Sequence, residues 1–483
     1  MTSPNSSFTT SKFSKSGNIL INPLLSENFI KWGEGNSIVS LSYSFPWING
    51  SSAVFGDAYG IDPPETSDIY YGLNSIQQHA TRDALTSWAN VANVNFSEVS
   101  ETSINVGDMR FAFTSATGDE RWGYSWKPNI YPFSGDVWIN SDYGDDSDWS
   151  LGSSNYENLI HEIGHCLGLK HPGNYNTGST LGAKGPFLSK TKDNTQYTIM
   201  SYNEALNDFY PSYESLIGEF LIWEIIPETP MILDIAAIQY IYGANNTYKT
   251  EDDVYTFNPL DPFIKTIWDA GGIDTIDTTN FSTICIIDLT PGNYSSIRFA
   301  KPANTGGQKP TYDGTNNLGI AYDCYIENVK CGSGNDKIIG NNLANELAGG
   351  NGADKLTSLA GNDTLLGGLG KDTLTGGLGA DIFKYVSTDD SGVAVKTRDT
   401  ITDFKHSESD KIDLSAIDAN SSLPNDQSFT YIGTKIFSKD ATAQLRLDPK
   451  TGILYGSTNA DNTPEFSILL SGVKSLVPEG FVL

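Results

Sequence analysis

The chain has 483 residues, more than one ordinary hydrophobic core can serve, so two or three domains are expected. Hydrophobic residues make up 38% of it and aromatics 11%, which excludes a mainly disordered chain. A net charge of -28 excludes nucleic acid and anionic membrane as natural partners, because phosphate would be repelled, and leaves surplus carboxylates for solubility or for hard cations.

The first 17 residues are polar and Ser/Thr-rich, with no apolar core of signal-peptide length. No run of 18 apolar residues occurs, so no membrane span is expected. Ser37 to Phe45 alternates like a half-buried strand, and Ser75 to Ala92 reads as a helix with Ile76, Ala80, Ala84, Leu85 and Trp88 inward. Short strands are expected over Ser103 to Phe113, Arg121 to Pro128 and Gly135 to Asn140, and a helix from near Asn155. Leu216 to Ile226, the most apolar stretch, is broken by Gly218, Glu219 and Glu224 and reads as a buried strand or surface flap. Asp234 to Tyr242 is a second amphipathic helix closed by Gly243. Strands and one helix followed by another helix suit a mixed sheet with helices packed on it. Beyond Asn245, glycine-rich turns and short strands replace helical periodicity. Cys166, Cys285, Cys324 and Cys331 are too few and too uneven for a disulfide framework and are expected as free thiols.

The helix near Asn155 carries HEIGHCLGLKH, His161 to His171. Four residues apart on a helix, His161 and His165 leave the same face. Gly168 permits the turn that brings His171 round as a third imidazole. Three neutral imidazoles leave a fourth zinc position open for water, and Glu162 is placed to act on that water as general base. This is the metzincin form of the zinc-protease motif, with one catalytic zinc expected. An ordinary amphipathic helix would use the same Leu159, Ile160, Ile163 and Leu167 face, but three of the chain's five histidines fall here with ligand spacing. His79 and His406 have no motif around them.

Cys331 to Lys384 divides into six uninterrupted nine-residue units, CGSGNDKII, GNNLANELA, GGNGADKLT, SLAGNDTLL, GGLGKDTLT and GGLGADIFK. This is the calcium-binding nonapeptide of parallel β-rolls. Turn glycines Gly332, Gly334, Gly350, Gly352, Gly361, Gly368, Gly370, Gly377 and Gly379 let carbonyls point inward. The sixth position supplies Asp336, Asn345, Asp354, Asp363, Asp372 and Asp381, and the eighth an apolar core residue. Two units make one coil, so several structural calcium ions would sit between units i and i+2. Unit two has Asn341 and Leu343 in place of turn glycines, which predicts a weaker or altered site there, and the roll should be disordered without calcium.

These motifs, with YTIMSYN (Tyr197 to Asn203), DIAAIQYIYGAN (Asp234 to Asn245), IWDAGGIDTID (Ile267 to Asp277), IENVKCGSGNDKIIGN (Ile326 to Asn341) and DKIDLSAID (Asp410 to Asp418), resemble the serralysins over nearly the whole chain. These are secreted bacterial metalloendopeptidases of the metzincin clan. The resemblance implies an α+β catalytic domain over 18–245, with a mixed twisted sheet plus helices. An all-β parallel β-roll and β-sandwich domain would follow over 246–483, with its repeats at 331–384. Residues 1–17 resemble a short propeptide or flexible N-terminus, making the chain a zymogen. Met200 resembles the methionine beneath the zinc. Tyr202 resembles the tyrosine that ligates zinc at rest and swings away to donate to the tetrahedral intermediate. Trp122, Gly123, Tyr124, Ser125 and Trp126 match an edge strand that binds substrate as an added antiparallel strand. Further calcium positions are implied at Lys249, Glu251, Asp253, Asp269, Gly271, Gly272, Asp274 and Glu327, and a late ion at Asp399 and Asp410.

The family also implies extracellular protein substrates, broad specificity, a monomer, a small proteinaceous inhibitor and type I secretion. The chain departs from it in its four cysteines and in ending Glu479 to Leu483 (EGFVL), where the family more often has Asp plus hydrophobic residues. The alternative is a calcium-dependent adhesion or scaffold protein with an inert protease-like domain, which would have no need of Glu162. A toxin or immune-modulating protease would differ only in substrate.

Overall fold

The computed structural model describes residues 9–35, 37–48, 69–102, 105–115, 121–143, 148–175, 185–420 and 422–483. The chain falls into two units, the first Met1–Tyr248, Phe263–Ala270 and Pro302–Tyr312, the second Lys249–Pro262, Gly271–Lys301 and Asp313–Leu483.

In the first unit, β1 (Thr10–Lys12) pairs antiparallel with β2 (Ile30–Trp32). The expected N-terminal tail is therefore not free throughout: 10–12 are ordered in a ladder, and 1–8 lie outside the described residues. A mixed sheet follows, built from β3 (Val39–Ser44), β4 (Tyr70–Gly72), β5 (Val94–Glu98), β6 (Met109–Thr114), β7 (Gly123–Ser125) and β8 (Val137–Asn140), in the order β5-β3-β6-β8-β7 with β4 on β6. The strands β5, β3, β6 and β8 run parallel, and β7 pairs antiparallel with β8 at one end. The strand expected from Ser103 begins only at Met109, and 103 and 104 lie outside the described residues. Before Met109 the ladder is interrupted by side chains: the Asp108 carboxylate accepts from Ser42 N (2.7 Å), and a Cβ on Gly107 would lie 2.5 Å from Ser44 N.

The helix α1 (Ser75–Val91) opens with a capping box between Asn74 and Gln77 and buries Ala80, Ala84, Leu85 and Trp88. Ile76 does not face inward: it sits in the first turn, 67% exposed. The helix α2 (Ser154–Cys166) carries the histidine motif and packs on α1 and β7. Leu216 to Ile226 belongs to a hairpin of β9 (Phe209–Glu214) and β10 (Glu219–Glu224), whose tip residue Leu216 is 92% exposed, so it is a surface flap. The helix α3 (Ile232–Tyr242) is not amphipathic. All but Gln239 and Tyr240 of its residues are buried, as for a helix enclosed on every side.

The second unit is a parallel roll. Asn328–Lys330, Glu346–Gly352, Thr364–Gly370, Ile382–Lys384 and Lys411–Asp413 stack in one sheet, and Lys337–Ile339, Lys355–Thr357, Thr373–Thr375 and Asp399–Ile401 in the other. Within the nonapeptide run each strand residue sits over the one 18 positions on, as Leu347 over Leu365 and Leu356 over Leu374, while past it Thr373 sits over Thr400 and Ile382 over Lys411. Between the sheets lie the eighth residues Ile338, Leu347, Leu356, Leu365, Leu374 and Phe383, all fully buried. The roll continues into an antiparallel meander, Gln444–Asp448, Ile453–Ser457 and Phe466–Leu470. The four cysteines are buried free thiols.

Candidate active site

Ser153 caps α2, its Oγ accepting from Tyr156 N (3.2 Å), and Trp88 Nε1 donates to the Ile160 carbonyl (3.1 Å), tying α2 to α1. Gly164 inside the motif has a steric reason: a Cβ there would lie 2.7 Å from Met200 Sδ. After the helix, Gly168 takes φ 103°. Its carbonyl accepts from Ser26 N (3.0 Å), and Lys170 N donates to Leu24 O (2.8 Å). Those bonds fix the turn that returns His171 to the helix.

His161 Nδ1 bonds the Ile199 carbonyl (2.6 Å) and His165 Nδ1 the Leu169 carbonyl (3.0 Å). Each Nε2 is thereby left with its lone pair, and both face His171 Nε2, at 3.1 and 2.9 Å. Burial pushes His161 down to about 4, His165 well below the ordinary range and His171 to about 2, so all three are neutral at neutral pH. Three neutral imidazoles with convergent nitrogens lack a central positive charge, and zinc fits that donor set.

The segment beneath is pinned from α3. Asp234 accepts from Thr198 Oγ1 (2.5 Å), Ile199 N (2.8 Å) and Met231 N (2.9 Å), while the same Ile199 carries the carbonyl that orients His161. Tyr202 is 58% exposed, its ring 4.2 Å from that of His171 and 5.7 Å from that of His161. Tyr175 stacks on Tyr202 (4.8 Å, 25°), donates to Asp193, pairs with Ser201 Oγ (2.9 Å) and accepts from Tyr202 N (3.3 Å). Sequence reasoning missed Tyr175, Asp193 and Asp234. Only Asp234 left a signal, as a lone acid opening an apolar helix.

Glu162 is 9% exposed; burial raises its carboxyl to about 7, against a lowering hydrogen bond from Ser125 Oγ to Oε2 (2.5 Å). Along β7 the bonds Asn140 N to Trp122 O (2.8 Å) and Trp126 N to Asp136 O (3.0 Å) are made towards β8. With Tyr124 paired opposite Trp138, the antiparallel alternation turns the N–H and C=O groups of Gly123 and Ser125 to the free edge.

In the second unit the sixth-position residues stack head to tail. Asp354 Oδ1 accepts from Asp336 N (2.6 Å), Asp372 from Asp354 N (2.8 Å), Asp363 from Asn345 N (2.8 Å) and Asp381 from Asp363 N (3.1 Å). Both columns run on past the nonapeptides, since Asp399 Oδ1 accepts from Asp372 N (2.7 Å) and Asp410 Oδ1 from Asp381 N (3.2 Å). The second carboxylate oxygens of Asp336, Asp354, Asp363, Asp372 and Asp381 are buried without a partner among the described residues. A ladder of orphaned hard oxygens fits calcium. Turn glycines are structural here: Gly370 has φ 146°, and a Cβ on it would meet Gly352 O at 1.5 Å.

Unit two is built differently. Asn345 Oδ1 accepts from Asn341 N (2.8 Å), its Nδ2 donates to Asn341 Oδ1 (3.1 Å), and Asn341 Nδ2 donates to Ile326 O (2.8 Å). Amides satisfy one another where the other units leave an oxygen open.

Among the remaining implied calcium positions, Asp253 N donates to Asp274 Oδ1 (2.8 Å) and Asp274 N to Glu327 Oε2 (2.8 Å). Gly272 (φ 141°) closes on Glu251 O, 2.3 Å from where a Cβ would be, and Gly271 has φ 146°. Asp269 is buried in the first unit. The Lys249 side chain is no cation ligand: its ammonium pairs with Asp253 Oδ1 (3.2 Å) and lies over the Tyr255 ring.

Residues 65–177 match the matrixin family model, and 233–482 match the peptidase M10 serralysin C-terminal model. Serralysin of Proteus mirabilis is 39% identical over 404 residues, 78% of this chain and 74% of that one. Serralysin G and serralysin C of Dickeya chrysanthemi are each 36% identical, over 391 and 430 residues, covering 78% and 85% of this chain and 74% and 80% of theirs. The chain belongs to the serralysin family. As a serralysin it is a zinc metalloendopeptidase, with a metzincin catalytic fold followed by a β-roll.

Proposed function

We propose that this serralysin cleaves internal peptide bonds of extracellular proteins with broad specificity, using His161, His165 and His171 as zinc ligands and Glu162 as general base. The observation that carries the reading is the convergence of three Nε2 atoms beside a buried carboxylate whose Oε2 is already held. Zinc, when bound, supplies a Lewis acid for the water and the scissile carbonyl. The chain's own groups do the rest. Glu162 takes the water's proton and passes it to the leaving amine. Tyr202, exposed beside His171, donates its hydroxyl to the oxyanion and can ligate zinc at rest. Met200 supports the histidines from below. The outward N–H and C=O groups of Gly123 and Ser125 pair with the substrate backbone, with Trp122, Tyr124 and Trp126 completing that strand, and backbone pairing tolerates many side chains.

The two carboxylate columns, with Asp399 and Asp410 at their ends, hold several structural calcium ions, and Asp253, Gly271, Gly272, Asp274 and Glu327 of the second unit hold a further one. Domain limits of 18–245 and 246–483, a propeptide over 1–17, type I secretion, control by a small proteinaceous inhibitor and a monomeric state belong to the same reading. Zinc-loaded, calcium-saturated protein is expected to cleave casein at many internal sites and to lose this with a zinc chelator. A zinc-free preparation of equal activity would overturn the proposal.

A further inference from the structure

Glu162 has one hydrogen-bond partner among the described residues, the Ser125 hydroxyl, and that bond engages Oε2 alone. Its other oxygen has no partner among the described residues. A buried carboxylate with two rotatable oxygens and a nearby water would otherwise sample several orientations, so the hydroxyl that selects one has a mechanistic consequence. Cys166, one turn along α2, also faces Ser125 but donates its thiol to Gly135 O (3.2 Å), which leaves the serine proton to Glu162.

Ser125 also sits on the free edge of the sheet. Its N–H and C=O point outward, whereas its neighbours Tyr124 and Trp126 bond inward to β8 and turn their rings to the opposite face of the strand. One residue therefore touches the general base through its side chain and offers its backbone to whatever pairs with the edge.

We propose that Ser125 is a positioning residue for the catalytic base: its hydroxyl anchors Glu162 Oε2 so that Oε1 faces the reacting groups, linking substrate seating on β7 to the orientation of the base. The proposal rests on Glu162 being that base. It deepens that reading, since an edge strand that only paired with substrate would be served equally well by alanine.

The test uses full-length, zinc-loaded, calcium-saturated protein and an internally quenched peptide substrate. Ser125→Ala is expected to lower kcat about tenfold, the scale of a lost hydrogen bond to a charged group, with KM unchanged. Ser125→Thr, which keeps the hydroxyl, is expected to restore kcat. In a Glu162→Gln background, Ser125→Ala is expected to change the residual rate little, because the two residues act as one. The proposal is overturned by an unchanged kcat in Ser125→Ala, by Ser125→Thr behaving like alanine, by a loss confined to KM, or by a full loss persisting without Glu162. Loss of zinc or of the circular dichroism spectrum in Ser125→Ala would also overturn it, by making the residue structural. An active Glu162→Gln would be a different failure, since it removes the base itself.

Discussion

The two units arrange their candidate cation ligands in opposite ways. In the first, the protein itself aims the imidazoles: Nδ1 of His161 and His165 is spent on carbonyls, Gly164 makes room for Met200, and Asp234 pins the segment carrying Ile199. A helix embedded in an apolar core supplies that rigidity. In the second, a core one residue thick separates two sheets, and the buried second oxygens of Asp336, Asp354, Asp363, Asp372, Asp381 and Asp399 have no partner among the described residues. Burial raises Asp336, Asp354 and Asp381 to about 6 and Asp372 to about 7, so each bears its charge only at a cost. Preorganisation by packing suits a single catalytic ion, whereas a repeat too thin to pack alone would gain its structure from the ions it binds.

That contrast can be attacked at several points. The largest effect is expected from Glu162→Gln, which should cut kcat/KM roughly 10³- to 10⁴-fold while zinc content and circular dichroism stay unchanged, because the packed unit does not need the carboxylate to fold. Removing calcium with a selective chelator should come next. Hydrogen exchange across 331–384 should rise to that of an unfolded chain and recover on adding calcium, while α2 keeps its protection. If the repeats stay protected, or α2 opens with them, the contrast fails.

Gly370→Ala should prevent coil stacking even with calcium present, since its Cβ would fall on the backbone carbonyl of Gly352. Urea unfolding followed by tyrosine and tryptophan fluorescence would register a separate early transition. Leu365→Ala, in the middle of the thin core, should cost about 3 kcal/mol and shift the calcium midpoint upward. The smallest effect belongs to unit two. Asn341→Gly with Asn345→Asp should reopen the level that amides now close and raise bound calcium by one ion per chain, read by equilibrium dialysis and atomic absorption. An unchanged count would show that the amide pair does not replace an ion.

Legibility followed the range of each interaction. His161, His165, His171 and Glu162 lie within eleven residues, and the stacked carboxylates recur at a fixed interval, so both could be read from spacing. Asp399 and Asp410 close the same columns but stand 27 and 29 residues after their partners, outside the nine-residue run, so the repeat did not place them there and only the family resemblance marked them as a late ion. The flap at 209–224 was visible only as an apolar stretch, because an apolar hairpin and a buried strand have the same composition. Ile76 was placed on the inward face yet lies exposed, because the buried stripe of α1 runs through Gln77, Ala80, Thr81, Ala84, Leu85 and Trp88 and leaves Ile76 to one side.

Local patterns, a 3.6-residue helical face and a nine-residue repeat, determined by themselves the family, the class of enzyme and the roll. Contacts between segments far apart in the chain decided the rest: Ser125 against Glu162, Asp234 beneath His161, Tyr175 behind Tyr202, and Asn341 against the Ile326 carbonyl. The physical reason is that spacing along a chain dictates which side chains share a face, while only the packing of faces against one another dictates which atoms meet.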